Sequence, residues 1–211
     1  MGTRAILVFH GYTMNSGFGA IAARTLTPIA HRVHVVAPGA PIVCTNEAVD
    51  RFYMSTGIPR PPGPYLTWWR ASDDNKIYEG WDATLELVRR SFDEHAPIGI
   101  IGFSQGAMVA ALVAALAARG ELPPLRFAVL VAGRVPRAET LRPLLATPID
   151  VPSLHVWGER DAMSERSAPE LMQHFSSATR QSFVSKGGHT FPTSGPAADA
   201  ITSFIESALE A

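Results

Sequence analysis

One stretch of this chain holds a residue type that does acyl-transfer chemistry in a setting that exposes it. Ser104 lies in Gly102-Phe103-Ser104-Gln105-Gly106, between the apolar run Ile98–Ile101 and an Ala/Leu-rich stretch that extends to Ala118. A glycine-flanked serine at a strand-to-helix turn is the nucleophile-elbow pattern, in which the neighbours must be small because strand and helix approach closely. Such a serine attacks a carbonyl only when a base takes its proton and a third group orients that base.

Hydrolases built on this elbow present nucleophile, acid and histidine in that chain order. Of the seven histidines, His10, His31, His34 and His95 precede the serine, His155 falls inside a strand-like run and His174 in a helical one. Only His189 follows the last apolar run, in Gly187-Gly188-His189-Thr190, where two glycines let the backbone turn back over a sheet edge. It is the candidate base. Asp161, just beyond Val151–Trp157, is the candidate acid; Glu159 is its rival, and Asp150 stands at the wrong end of that strand.

An acyl-transfer site also needs two backbone N–H groups where the oxyanion forms. Gln105, at the N-terminus of the elbow helix, supplies one. The other is expected from His10-Gly11-Tyr12-Thr13 after the first strand, with Tyr12 the donor, Thr13 its rival and His10 a brace for the loop.

The elements that position these groups are read from periodicity. Strands are expected at Ala5–Phe9, Val33–Ala37, Pro97–Gly102, Phe127–Ala132, Val151–Trp157 and Gln181–Val184, with helical stretches at 17–30, Tyr78–His95, 105–119, Pro169–Phe175 and Ala197–Leu209. Strands alternating with helices predict an α/β fold, a mostly parallel sheet of about six strands with helices on both faces, in one domain spanning 1–211. Residues 38–76 interrupt the alternation with prolines at 38, 41, 59, 61, 62 and 64 and many aromatic rings. That excursion has no clear periodicity and is expected to line the site. Two adjacent tryptophans on an extended segment point to opposite sides, so Trp68 or Trp69, with Thr13, is expected in the pocket wall.

With 46% hydrophobic and 18% charged residues and a net charge of -1, the chain shows no basic excess for nucleic acid or anionic membranes. The uncharged stretch 98–118 has the length of a membrane span, but Gly99, Gly102, Ser104, Gln105 and Gly106 interrupt it, so no span is expected. A single cysteine, Cys44, leaves no internal disulfide, and the N-terminal apolar run is short for a signal peptide; a cytoplasmic location is the expectation.

Leu7–Thr13, Trp68-Trp69-Arg70, Tyr78-Glu79-Gly80, Gly102–Ala107, Pro152–Glu159 with Asp161, and Gly187-Gly188-His189 together resemble the FSH serine-hydrolase family of the α/β-hydrolase superfamily. The resemblance implies a sheet lacking the first strands of larger hydrolases and a Ser104-Asp161-His189 triad. It also implies hydrolysis of a small-molecule ester or an acyl thioester, free or on a carrier protein, without cofactor or metal. The proline cluster at 38–66 departs from that pattern. A lysophospholipase-type carboxylesterase and a non-catalytic hydrolase-fold binding protein are the alternatives.

Overall fold

The computed structural model describes residues 2–210. In chain order the elements are β1 Arg4–Phe9, α1 Phe18–Thr25, β2 Val33–Val36, β3 Ile42–Val43, α2 Asn46–Thr56, β4 Leu66–Thr67, β5 Arg70–Ala71 and β6 Tyr78–Glu79. They continue with α3 Trp81–His95, β7 Gly99–Phe103, α4 Gln105–Ala118, β8 Phe127–Val131, β9 Ser153–Gly158, α5 Ser167–Met172, β10 Arg180–Ser185 and α6 Pro196–Glu210. The six-stranded sheet runs β10-β9-β8-β7-β1-β2 with every neighbouring pair parallel.

The alternation of side chains along the strands divides the core into two layers. Leu7, Phe9, Ile100, Ala128 and Leu130 face α3 and α4, while Ile6, Val8, Ile101, Phe103, Val129 and Val131 face α1 and α6. Strands covered on both faces read as continuous apolar runs, as β1, β7, β8 and most of β9 do; the edge strands β2 and β10 are partly exposed. α4 is buried from Gly106 to Ala117 because the sheet lies beneath it and α3 and the 138–149 segment cover it. Its 14 residues make about 21 Å of helix, well short of a bilayer. No helix among the described residues is long and apolar enough to cross a membrane.

The chain leaves β1 toward β2 on one side and returns to β7 on the other. The carboxyl ends of β1 and β7 therefore form a topological switch point, where crossover loops part and leave a crevice.

The excursion, which shows no clear periodicity in the sequence, is built from short regular elements. It contains the 11-residue helix α2, the β3–β4 hairpin and the β5–β6 hairpin. α2 was illegible because only Val49 on it is buried, leaving almost no apolar stripe; its start at the Thr45 side-chain cap and its stop at left-handed Gly57 are ordinary helix signals. Tyr78 and Glu79, expected in the helix, form β6 instead.

Candidate active site

Ser104 follows β7 directly and adopts φ 54°, ψ −116°, a conformation that non-glycine residues occupy only under strain. Three backbone hydrogen bonds fix it: its amide donates to Val131 O at 2.9 Å, and its carbonyl accepts from Ala107 N at 3.0 Å and Met108 N at 3.3 Å. The flanking glycines leave room for the turn. A Cβ on Gly102 would lie 2.2 Å from Gly106 O, and one on Gly106 2.1 Å from Phe9 O, both rigid backbone atoms.

His189 comes from the loop after β10 and places Nε2 3.0 Å from Ser104 Oγ. Its Nδ1 lies 2.8 Å from Asp161 Oδ2. An ionised carboxylate only accepts, so Nδ1 carries the proton and Nε2 is left to accept from the serine hydroxyl. Asp161 Oδ1 accepts from the amides of Met163 at 3.0 Å and Ser164 at 3.2 Å, and Oδ2 also accepts from the Ser164 hydroxyl. Burial opposes the Asp161 charge, but the hydrogen bonds from His189 and Ser164 outweigh it and hold the carboxyl below its ordinary value. Asp161 is 1% exposed and the His189 side chain 12%, so this chain is screened from water yet open at the histidine. Glu159, the rival acid, points outward and pairs with Lys186 at 3.3 Å.

The loop after β1 packs against the elbow: a Cβ on Gly11 would lie 3.4 Å from Ser104 Cβ. Thr13 N donates to Leu66 O at 2.9 Å and is thereby occupied. The Tyr12 and Gln105 amides have no hydrogen-bond partner among the described residues. His10 braces this loop: Nδ1–H donates to Gly11 O at 2.8 Å and Nε2 accepts from Ala40 N at 3.0 Å. Burial pushes its pKa down to about 4, keeping the ring neutral as both bonds require.

The cavity above Ser104 measures about 450 Å³ and is walled in part by Tyr12, Phe52, Trp69 and His189. Two expectations for its wall are corrected. Trp68 is 0% exposed and turned into the core, where Nε1 donates to His10 O at 2.8 Å; Thr13 is buried with its hydroxyl bonded to Tyr12 O and Tyr53. Trp69, 3% exposed, does line the cavity, so one ring of the adjacent pair faces the pocket and the other the core, across the break between β4, which ends at Thr67, and β5, which begins at Arg70. Trp69 stacks on Tyr78 with ring centroids 4.3 Å apart. A larger cavity of about 820 Å³, bounded by Lys76, Arg137 and His174, includes none of Ser104, Asp161 and His189.

Two contributors escaped sequence reading. Ser164 supports Asp161, and its only signal is a hydroxyl three residues after the acid, within a turn. The Gln105 side chain ties the elbow to the excursion, accepting from Trp68 N at 3.2 Å and donating to Trp69 O at 3.4 Å.

The family model described as Serine hydrolase (FSH1) matches residues 1–201. The chain belongs to this serine-hydrolase family. The esterase OVCA2 of Xenopus tropicalis is 36% identical over 219 residues, covering 97% of this chain and 93% of the relative. The Bos taurus esterase OVCA2 is 33% identical over 153 residues, 66% of each chain, so the match spans about two thirds of that relative's length. Among solved structures, esterase PE8 superposes with a TM-score of 0.70 at 20% identity, covering 98% of this chain and 93% of that one. The fold of this chain is thus that of the solved α/β-hydrolase esterases.

Proposed function

We propose that the protein hydrolyses carboxylic esters and thioesters through a covalent acyl-enzyme on Ser104. The observation that carries this is the hydrogen-bonded chain from Ser104 Oγ through His189 to Asp161, raised on a strained elbow at the sheet's switch point.

His189 Nε2 takes the hydroxyl proton as Ser104 Oγ forms a bond to the acyl carbon, and the carbonyl π electrons move onto oxygen. The Tyr12 and Gln105 amides donate to that oxyanion, and the positive end of α4 lies beneath it. Asp161 stabilises the imidazolium without taking its proton. When the tetrahedral intermediate collapses, the bond to the alcohol or thiol breaks and His189 returns the proton to it. Water, deprotonated by His189, then attacks the acyl-enzyme; the acid leaves and Ser104 regains its hydrogen.

Thioesters enter the proposal through the family resemblance and because a thiolate leaves more readily than an alkoxide. A carrier-borne acyl chain and a cytoplasmic setting belong to the same proposal. A matched series of alkyl esters and acyl thioesters, scored by kcat/KM, tests it together with fluorophosphonate labelling of Ser104. Turnover that persists in Ser104→Ala with the fold intact sinks the mechanism.

A further inference from the structure

The cavity above Ser104 has an electrostatic character that ester hydrolysis alone does not require. Three arginines, Arg51 on α2, Arg70 on β5 and Arg134 after β8, line it, and no aspartate or glutamate does among the described residues. The whole chain carries 18 basic and 19 acidic side chains, so an all-cationic cavity is a local departure from a balanced composition. Arg51 is partly neutralised by Glu47 at 2.7 Å on its own helix. Arg70 and Arg134 form no ion pair among the described residues; Arg70 makes only a long hydrogen bond to Val43 O, 3.4 Å. Acids do approach from outside. Glu79 stands opposite Arg70 across the β5–β6 pair, and Glu170 lines a small adjoining space of about 80 Å³ with Arg134; neither closes a bridge.

The arginine charges reach the cavity wall. Burial raises the Tyr12 phenol and the Cys44 thiol, and the charges of Arg51 and Arg70 respectively act against that rise. Planar guanidinium forks suit carboxylate and phosphate oxygens, which they grip with two parallel hydrogen bonds. The fixed backbone groups of the elbow set where the scissile carbonyl sits, in the same cavity that these arginines line.

We propose, on the reading of Ser104 as the nucleophile, that the substrate is an ester or thioester bearing an anionic group, and that Arg70 and Arg134 recognise it, with Arg51 in support. The anion is a carboxylate on the acyl side or a phosphate on the leaving-group side; both present the same oxygens to the same forks. These arginines are specificity residues that hold the substrate and take no part in bond making.

Two matched pairs separate the sources. The 4-nitrophenyl monoester of adipic acid is compared with 4-nitrophenyl hexanoate, and butyryl-coenzyme A with the butyryl thioester of N-acetylcysteamine. An exposed ion pair contributes up to about fivefold, so two guanidiniums acting together give about a tenfold higher kcat/KM for the charged member of one pair. The ratio is measured again in Arg70→Gln, Arg134→Gln and the double variant, each normalised to its own rate on the neutral substrate. The double variant is expected to bring the ratio to about one, and raising NaCl from about 0.05 to about 0.5 M to shrink it in the parent protein. Arg119→Gln, on a surface pair with Glu121, leaves the ratio unchanged.

No charge preference in either pair, or a preference that survives in the double variant, overturns the assignment. If neutral esters are still hydrolysed and Ser104 is still labelled, only the anion proposal fails. If nothing is hydrolysed or labelled, the serine-hydrolase reading itself fails. Should the double variant not fold, the single variants carry the test.

Discussion

Replacing Asp161 by asparagine changes one atom and tests the whole hydrogen-bonded chain. Four donors converge on this carboxylate: two amides on Oδ1, and the Ser164 hydroxyl and His189 Nδ1–H on Oδ2. An amide offers one oxygen and one NH₂, and the two backbone amides cannot move away. The amide oxygen therefore takes the Oδ1 position and the NH₂ faces Ser164 and His189. The serine hydroxyl can rotate to accept, but His189 can accept at Nδ1 only by moving its proton to Nε2. That proton then points at Ser104 Oγ, and the base is lost. The same exchange in serine proteases lowers kcat by about 10⁴, or about 5 kcal/mol of transition-state stabilisation. The assay is kcat on a neutral 4-nitrophenyl ester, with circular dichroism and thermal melting to show that the fold persists. A folded Asp161→Asn protein keeping more than about a tenth of the parent kcat refutes the reasoning.

Further outcomes follow from other contacts. Gly106→Ala drives a Cβ to 2.1 Å from Phe9 O, with backbone on both sides, so a loss of about 3 kcal/mol or more is expected in urea unfolding; a cost under about 1 kcal/mol contradicts that close approach. Trp68→Phe removes the bond from the indole nitrogen to His10 O and is expected to cost about 1–3 kcal/mol while the variant still labels with fluorophosphonate, as befits a core residue. Stability is expected to fall on acidification between about pH 6.5 and 3. Burial depresses His10 to about 4 and His155 to about 3, so the unfolded chain binds their protons first and the folded state loses ground. His155→Phe should flatten that fall in denaturation curves at pH 7, 5 and 4, and an unchanged slope would count against the burial argument.

How much was legible in the sequence follows from where each constraint lives. The central strands and the elbow were readable because burial on both faces and close backbone approach restrict residue type locally: Ile6–Phe9, Gly99–Phe103 and Phe127–Val131 tolerate little else. His189 and Asp161 were readable because an elbow at one strand end leaves few places for its partners. Which of Trp68 and Trp69 takes the cavity side was not, since it depends on Tyr78 and His10, which reach the pair only in the folded chain. Ser164 hid for a related reason: a serine in a polar turn looks like any other. Arg51, Arg70 and Arg134 are separated by 19 and 64 residues in sequence, and nothing in their local pattern announces a common cavity.

The central claim, that Ser104 becomes the covalent nucleophile, is met most directly by mass spectrometry of the protein after reaction with a fluorophosphonate. One adduct is expected, mapped to the peptide containing Ser104, absent in Ser104→Ala and formed far more slowly in His189→Ala. A parent protein that remains unlabelled, or a Ser104→Ala variant that labels at the parent rate, contradicts it.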